Sequence, residues 1–281
     1  MKKTKLDYFD GKELMPDNAL RIGASSISGY FTYTASFFKE LLHGENGFTG
    51  STPSVLGSVL HYACECYVKN EPIDFEEISQ YLVNQSTIVD DLNVDYINYQ
   101  WPIMLRTVQQ YLSTIDMNEA VAERFVTTEV RPGIYIGGSI DLLTRNTDGS
   151  LIINDYKSLS ANSVSSMVYN YELQLLTYMY TLHKLGERVS IIRTINVTTD
   201  KCGRVGKNDK PLPDQPSKII IHERAITPAD YEKMEAVFNI VSRSVEVYIA
   251  NPELRDVIAQ DARVKVMKCL YKPFVEIEEE I

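Results

Sequence analysis

Asp155 and Lys157 sit two residues apart near the end of LIINDYKSL, an apolar, β-branched run. Side chains of a strand alternate, so Leu151, Ile153, Asp155 and Lys157 share one face. A carboxylate and an ammonium so placed can hold a cation and stabilise charge building on a phosphate. Taken alone, they read more readily as a surface ion pair. The preceding run, GGSIDLLTR, supplies a second carboxylate, Asp141. Taking Thr147, Asp148 and Gly149 as a three-residue hairpin loop, with Gly149 left-handed, pairs Asn146 with Ser150. Counting back sets Thr144 against Ile152, Leu142 against Asn154 and Asp141 against Asp155. Opposed Cβ atoms stand roughly 4.5–5.5 Å apart. Two carboxylates at that distance need neutralising, and Mg²⁺ or Mn²⁺ suits them. A two-residue loop would shift the register and break this pairing.

The segment after the strand adds Gln174 and Tyr178, four apart and so on one helix face. Most tyrosines of this helix fit core packing. An amide and a phenol placed directly after a carboxylate–lysine strand can also hold a phosphate backbone or stack a base.

These groups need a sheet and helices to position them. Residues 25–124 read as helical. A first helix starts at Ser25 or Ser26 and ends near Gly44. A second starts at Thr52-Pro53, with Thr52 as its cap. Two more span 74–82 and 91–115. The pattern turns to strands near Phe125, returns to helix over 163–185, and gives strands at 189–197 and 218–222. Helices follow from Thr227 and from Asn251-Pro252, before an acidic tail. This order predicts an α/β (α+β) fold with a central mixed sheet flanked by helices and an N-terminal helical region. The expected division is an N-terminal extension over 1–24 and one domain over 25–281. Within that domain, 125–225 would carry the sheet and 226–281 the C-terminal helices.

The composition bounds the function. The 281 residues carry a net charge of −10, which excludes a protein that coats nucleic acid non-specifically. A nucleic acid would have to be met in a local groove with help from a cation. No long apolar run predicts a membrane span or a secretory signal. Four cysteines without zinc spacing fit free thiols in a reducing cytoplasm, the host's if the chain is viral. The loop with Lys201, Arg204, Lys207 and Lys210 is either a basic edge to a groove or simply a solvated loop.

In combination, these motifs resemble the PD-(D/E)XK nucleases of the RecB-like branch, which includes the CRISPR-associated exonucleases. Gly57-x-x-x-His61 matches the G-x-x-x-H helix and Gly138-x-x-Asp141 the G-x-x-D strand. Asp155-Tyr156-Lys157 matches D-x-K, and Gln174-x-x-x-Tyr178 matches the Q-x-x-x-Y helix. Glu129 matches a frequent acidic position on the strand before. Together they cover roughly residues 25–178.

The resemblance implies a restriction-endonuclease-like core and metal-dependent hydrolysis of DNA, as an exonuclease of recombination, repair or phage DNA processing. It implies that His61, Asp141, Asp155 and the backbone carbonyl of Tyr156 ligate one or two Mg²⁺ or Mn²⁺ ions. Lys157 would assist attack of water on the phosphodiester. Gln174 and Tyr178 would contact the DNA strand or brace the lysine. Glu129 is a ligand, an orienter of one, or a plain surface acid. The implied partners are DNA with free ends and a helicase or annealing protein. Many members of the branch hold an iron–sulfur cluster on four cysteines. Here the early position reads Tyr33-Thr34-Ala35-Ser36 and the late region has only Cys269. No cluster is therefore expected. The competing class is a catalytically silent nucleic-acid-binding subunit, which loss of an acid or the lysine would favour. Neither is lost.

Overall fold

The computed structural model describes residues 19–32, 50–160, 164–205 and 210–251, with a few further positions before residue 50. In chain order the elements are β1 (Leu20–Gly23), a 3₁₀ turn (Ala24–Ser26), α1 (Ile27–Thr32), α2 (Thr52–Lys69), α3 (Phe75–Ser86), α4 (Val94–Leu112), β2 (Val121–Arg131), β3 (Ile134–Arg145), β4 (Leu151–Leu159), α5 (Val164–Lys184), β5 (Val189–Thr198), β6 (Ile219–Ala225) and α6 (Pro228–Ala250). The helix expected from Asn251-Pro252 and the acidic tail lie outside the described residues.

Helix starts follow the local chemistry. Ser51, rather than the expected Thr52, caps α2. Its Oγ accepts the Ser54 N–H while the Ser54 Oγ accepts the Ser51 N–H, a reciprocal arrangement that satisfies two orphan donors. Asp74 caps α3 through the N–H groups of Glu76 and Glu77. Asn93 caps α4 through that of Tyr96. At α6, Asp230 accepts from Thr227 and is held by Arg224 of β6.

The strands form one mixed sheet, as the alternation of helical and β-branched segments predicts. The order β1-β3-β4-β5-β6 carries β2 on the remaining edge of β3. β1 runs parallel to β3 and β4 parallel to β5, and the other pairs are antiparallel. One core, with Ile153, Leu176 and Val237, lies between the sheet and α1, α5 and α6. The other, with Leu60, Met104 and Tyr156, lies under α2, α3 and α4. Tyr156 therefore points into one core, while its neighbours Asp155 and Lys157 turn to the opposite face.

The hairpin register is the three-residue one. The Asn146 N–H donates to the Ser150 carbonyl and Gly149 has φ +80°. The ladder pairs Thr144 with Ile152 and Leu142 with Asn154, then stops. The expected opposition of Asp141 and Asp155 is not a ladder pair, because the two strands part at that point. β2 lines one edge of β3 from Ile134 to Leu143. On the other edge, β1 pairs with residues 134–137 and β4 with residues 142–145. Between them the sheet forks at residues 138–141. The fork needs β1, whose four residues fall within the segment expected to be an extension.

Alternation also breaks there. Ile140 is buried in the α5-side core and Leu142 in the α2-side core, although residues two apart on a regular strand share a face. Opposite Asp141, Glu123 of β2 has φ +51°, a left-handed backbone that costs roughly 1–2 kcal/mol for a residue with a Cβ. β2 begins at Val121, four residues before the expected change of pattern, so Glu123 belongs to the sheet.

Gly137 is held between β1 and β2, pairing with Gly23 and Thr127. A Cβ on it would stand 2.0 Å from the Val126 carbonyl oxygen, whereas one on Gly29 of α1 would meet nothing within 4 Å. Gly137→Ala is expected to lower unfolding free energy by about 3 kcal/mol, the upper end for forced overpacking. Gly29→Ala is expected to raise it by up to about 1 kcal/mol. Urea denaturation of the two variants against the parent chain measures both.

Candidate active site

The fork is where the chemistry-bearing side chains meet. Asp141 lies at its root and reaches across to β4, where its Oδ2 accepts the Tyr156 N–H at 2.7 Å. This bond takes the place of the next ladder step. Asp141 Oδ2 also lies 3.4 Å from His61 Nδ1. His61 comes from the third turn of α2 and its Nε2 stands 2.8 Å from the Tyr156 carbonyl oxygen. The helix can come this close because residue 57 is glycine. A Cβ there would lie 3.2 Å from the Ser158 Oγ of β4. So the glycine and the histidine of G-x-x-x-H act together: Gly57 sets the approach and His61, one turn later, uses it.

Asp155 and Lys157 lie on the other face, as their spacing predicts. Lys157 Nζ is 2.7 Å from Asp155 Oδ2 and 3.5 Å from the Gln174 side-chain oxygen. Gln174 in turn donates to the Tyr178 hydroxyl at 3.2 Å. Tyr178 is only 5% exposed, and it packs where a Cβ on Gly138 would lie 3.4 Å from its ring and hydroxyl. The glycine of G-x-x-D thus makes room for the tyrosine of Q-x-x-x-Y. The burial of Tyr178 pushes its phenol well above the usual range.

The carboxylate that the sequence reading missed is Glu123. Its ligand atom, with those of His61 and Asp141, falls in a group lying within 4.8 Å of one another. A strand boundary set at Phe125 left it out. The available signal was its place opposite Asp141 once the β2–β3 hairpin is counted back. Glu129, the acid singled out instead, lies near the far end of β2. It is exposed and accepts the Gly133 N–H at 2.8 Å, bracing the turn away from the fork.

The electrostatics follow from crowding. Burial lowers the His61 pKa, but the Asp141 carboxylate raises it more, and it is pushed up to about 9. Burial, with Asp141 beside it, pushes Glu123 up to about 8. Asp155 is pushed up to about 6, because burial and the Asp141 charge outweigh the Lys157 ammonium. Lys157 is raised too: burial lowers it, and the Asp155 and Asp141 carboxylates more than offset that. Asp141 is lowered, because His61 overcomes its burial. A proton on His61 thus serves as a counter-charge among these acids. Two carboxylates, an imidazole and a backbone carbonyl are together a donor set that could hold a divalent cation.

A cavity of about 730 Å³ opens onto this group. Its walls are the Ser54–Ser58–His61 face of α2, Glu123, and the end of β4 with Lys157. Lys201 and Arg204 follow the C-terminal end of β5. That strand is parallel to β4 and pairs Asn196 with Lys157, so the loop leaves the sheet at the same end as the site. Neither residue lines the cavity, and Lys207 lies outside the described residues. The loop is pinned to α4 by Gln100, whose amide bonds both the N–H and the carbonyl of Asp200.

The chain matches the PD-(D/E)XK nuclease superfamily over residues 24–260, and it belongs to that superfamily. Among solved structures, a candidate exonuclease from Eubacterium rectale is 16% identical with a TM-score of 0.53, over 89% of this chain and 88% of that one. An alkaline exonuclease from Laribacter hongkongensis is 10% identical with a TM-score of 0.37, over 73% and 97%. At these identities the likeness to the first is one of fold, and the second carries no argument. No curated protein matches the chain. Among the described residues no helix is long and apolar enough to cross a membrane.

Between pH 6 and pH 9, two groups of the site give stability its pH slope. His61, raised from 6.5 to about 9, contributes fully below its unfolded value and loses that contribution as pH rises through about 9. Glu123, raised from 4.5 to about 8, acts in the same direction at lower pH. In EDTA the melting temperature is therefore expected to fall between pH 6 and pH 9, and Glu123→Gln should flatten the fall. Mg²⁺ should oppose it, since a cation displaces the protons. Thermal denaturation across that range is the measurement. A flat profile in EDTA would remove the charge assignment.

Proposed function

We propose that this chain is a Mg²⁺- or Mn²⁺-dependent deoxyribonuclease that degrades DNA from its ends, in recombination, repair or phage DNA processing. The observation that carries the reading is the convergence at one fork of His61, Glu123 and Asp141, with the Asp155–Lys157 pair beside them. Superfamily membership makes hydrolysis of a phosphodiester the chemistry to which such a group is put.

His61, Glu123, Asp141, Asp155 and the Tyr156 carbonyl are the residues that would hold the cation. When bound, it supplies Lewis-acid stabilisation of the phosphate and lowers the pKa of water. The rest is the work of the chain. Lys157 presents a positive charge beside the carboxylates and stabilises charge building on the phosphodiester oxygens. Asp155 keeps the ammonium in the site. Gln174 faces the ammonium with its oxygen because Tyr178 accepts from its nitrogen. The burial of Tyr178 favours bracing of the lysine over direct contact with a strand. Gln174, less buried, is the member of the pair that can also meet the nucleic acid.

A net charge of −10 sets the requirement for a local positive field. Lys157 and the cation supply it inside the cavity. Lys201 and Arg204, and Lys207 by its place in the sequence, are the candidates at its edge, where they would contact backbone phosphates. DNA with free ends is the expected partner, and a helicase or an annealing protein is the kind of factor that would deliver it.

Digestion of end-labelled linear DNA, single- and double-stranded, tests the reading. Cleavage is expected with Mg²⁺ or Mn²⁺ and not with EDTA, and closed circles should resist. Asp155→Asn and Lys157→Ala should each lower kcat about a hundredfold or more. Glu123→Gln should raise the Mg²⁺ concentration for half-maximal activity by about tenfold or more. DNA binding without cleavage of any substrate by the native chain would replace the enzyme with a silent binding subunit.

A further inference from the structure

Lys157 has a third neighbour that no motif spacing includes. Its Nζ lies 4.2 Å from the centroid of the Tyr171 ring. Tyr171 stands on α5, three residues before Gln174, so Tyr171, Gln174 and Tyr178 follow one another along a single helix face. The ring and the ammonium both line the cavity that holds His61 and Glu123.

The two oxygen contacts of Lys157 hold its charge better than its direction. Asp155 Oδ2 holds it by charge at 2.7 Å. The Gln174 oxygen is 3.5 Å away, at the limit for such a bond. An ammonium is a compact charge on a flexible four-carbon stem, and charge attraction alone leaves that stem free to swing. An aromatic ring attracts a cation over its face and not at its edge. It therefore supplies the directional restraint that the oxygens lack.

We propose that Tyr171 is a positioning residue, whose ring face fixes where the Lys157 ammonium points within the cavity. The inference rests on reading Lys157 as the group that meets the reacting phosphate. The hydroxyl plays no part in it, so a phenyl ring serves as well. A leucine fills similar space without the quadrupole and leaves the ammonium free to turn. The ring acts on the lysine and not on the substrate, so the loss falls on turnover and not on binding.

Tyr171→Phe and Tyr171→Leu, compared with the native chain, separate these roles in two readouts. The first is the ¹H–¹³C signal of the Lys157 ε-methylene in lysine-labelled protein, assigned by Lys157→Arg and read without substrate. A ring face above the ammonium shifts it upfield. The second is steady-state cleavage of end-labelled DNA with Mg²⁺. The phenylalanine variant is expected to keep the shifted signal and a kcat within about twofold of native. The leucine variant is expected to lose the shift, with kcat down about tenfold and KM within about twofold. Tyr171→Met replaces it if it folds poorly.

A leucine variant that keeps both the shift and the turnover would overturn the proposal. So would a rise in KM at constant kcat, which would make Tyr171 a substrate contact. Failure of the nuclease reading looks different: the native chain would cleave nothing while the spectrum still reported the ring contact. The role in a reaction would then fall together with that reading.

Discussion

The site depends on one edge of β3 being shared by two strands. β1 takes its first residues and β4 its last, and neither can take the stretch between. Backbone groups left unpaired inside a sheet are costly, and the Asp141 carboxylate meets that cost by accepting the Tyr156 N–H. A side chain thus takes over part of the pairing that a strand would have supplied. That obligation fixes Asp141 in the fork, turns the Tyr156 carbonyl toward α2, and leaves Asp155 and Lys157 to project on the other face. The remaining features are accommodations to this geometry, including the glycines at 57 and 138 and the switch of burial between Ile140 and Leu142.

Two layers meet at that point. The α2 side contributes the imidazole, and the α5 side contributes the amide and phenol that hold the lysine. Each of these elements is anchored by its own core, so the acids and the base are carried on packed elements and not on loops. The low dielectric of such a place strengthens every pairing within it. His61 with Asp141 and Lys157 with Asp155 divide the charges into two neighbouring pairs. The two aspartates, expected to need a shared cation because they oppose each other, each have a basic partner within the chain.

Much of this was legible in the sequence, because much of it is local. The alternation of LIINDYKSL assigns faces without any knowledge of the fold. The left-handed Gly149 sets the hairpin, and the hairpin sets the register as far as Leu142 and Asn154. The four spaced motifs depend only on distances along one element. Glu123 was legible only by counting back the β2–β3 hairpin, because its place in the group depends on a residue 18 positions away and on a backbone conformation that no propensity favours for glutamate. The segment around it mixes exposed Val121 with buried Ala122, a pattern too weak to start a strand. β1 is four residues long, shorter than any periodicity can declare, so the fork it creates was hidden too. Tyr171 was hidden among the tyrosines of an aromatic-rich helix, where only the position of the lysine distinguishes it.

The backbone at Glu123 carries a consequence of its own. A left-handed residue at that position is most comfortable as glycine, which needs no side chain to justify it. Glycine there would relieve the backbone and would remove an acid from the fork in doing so. Glutamate at 123 therefore ties a strained backbone to the presence of a carboxylate at the fork.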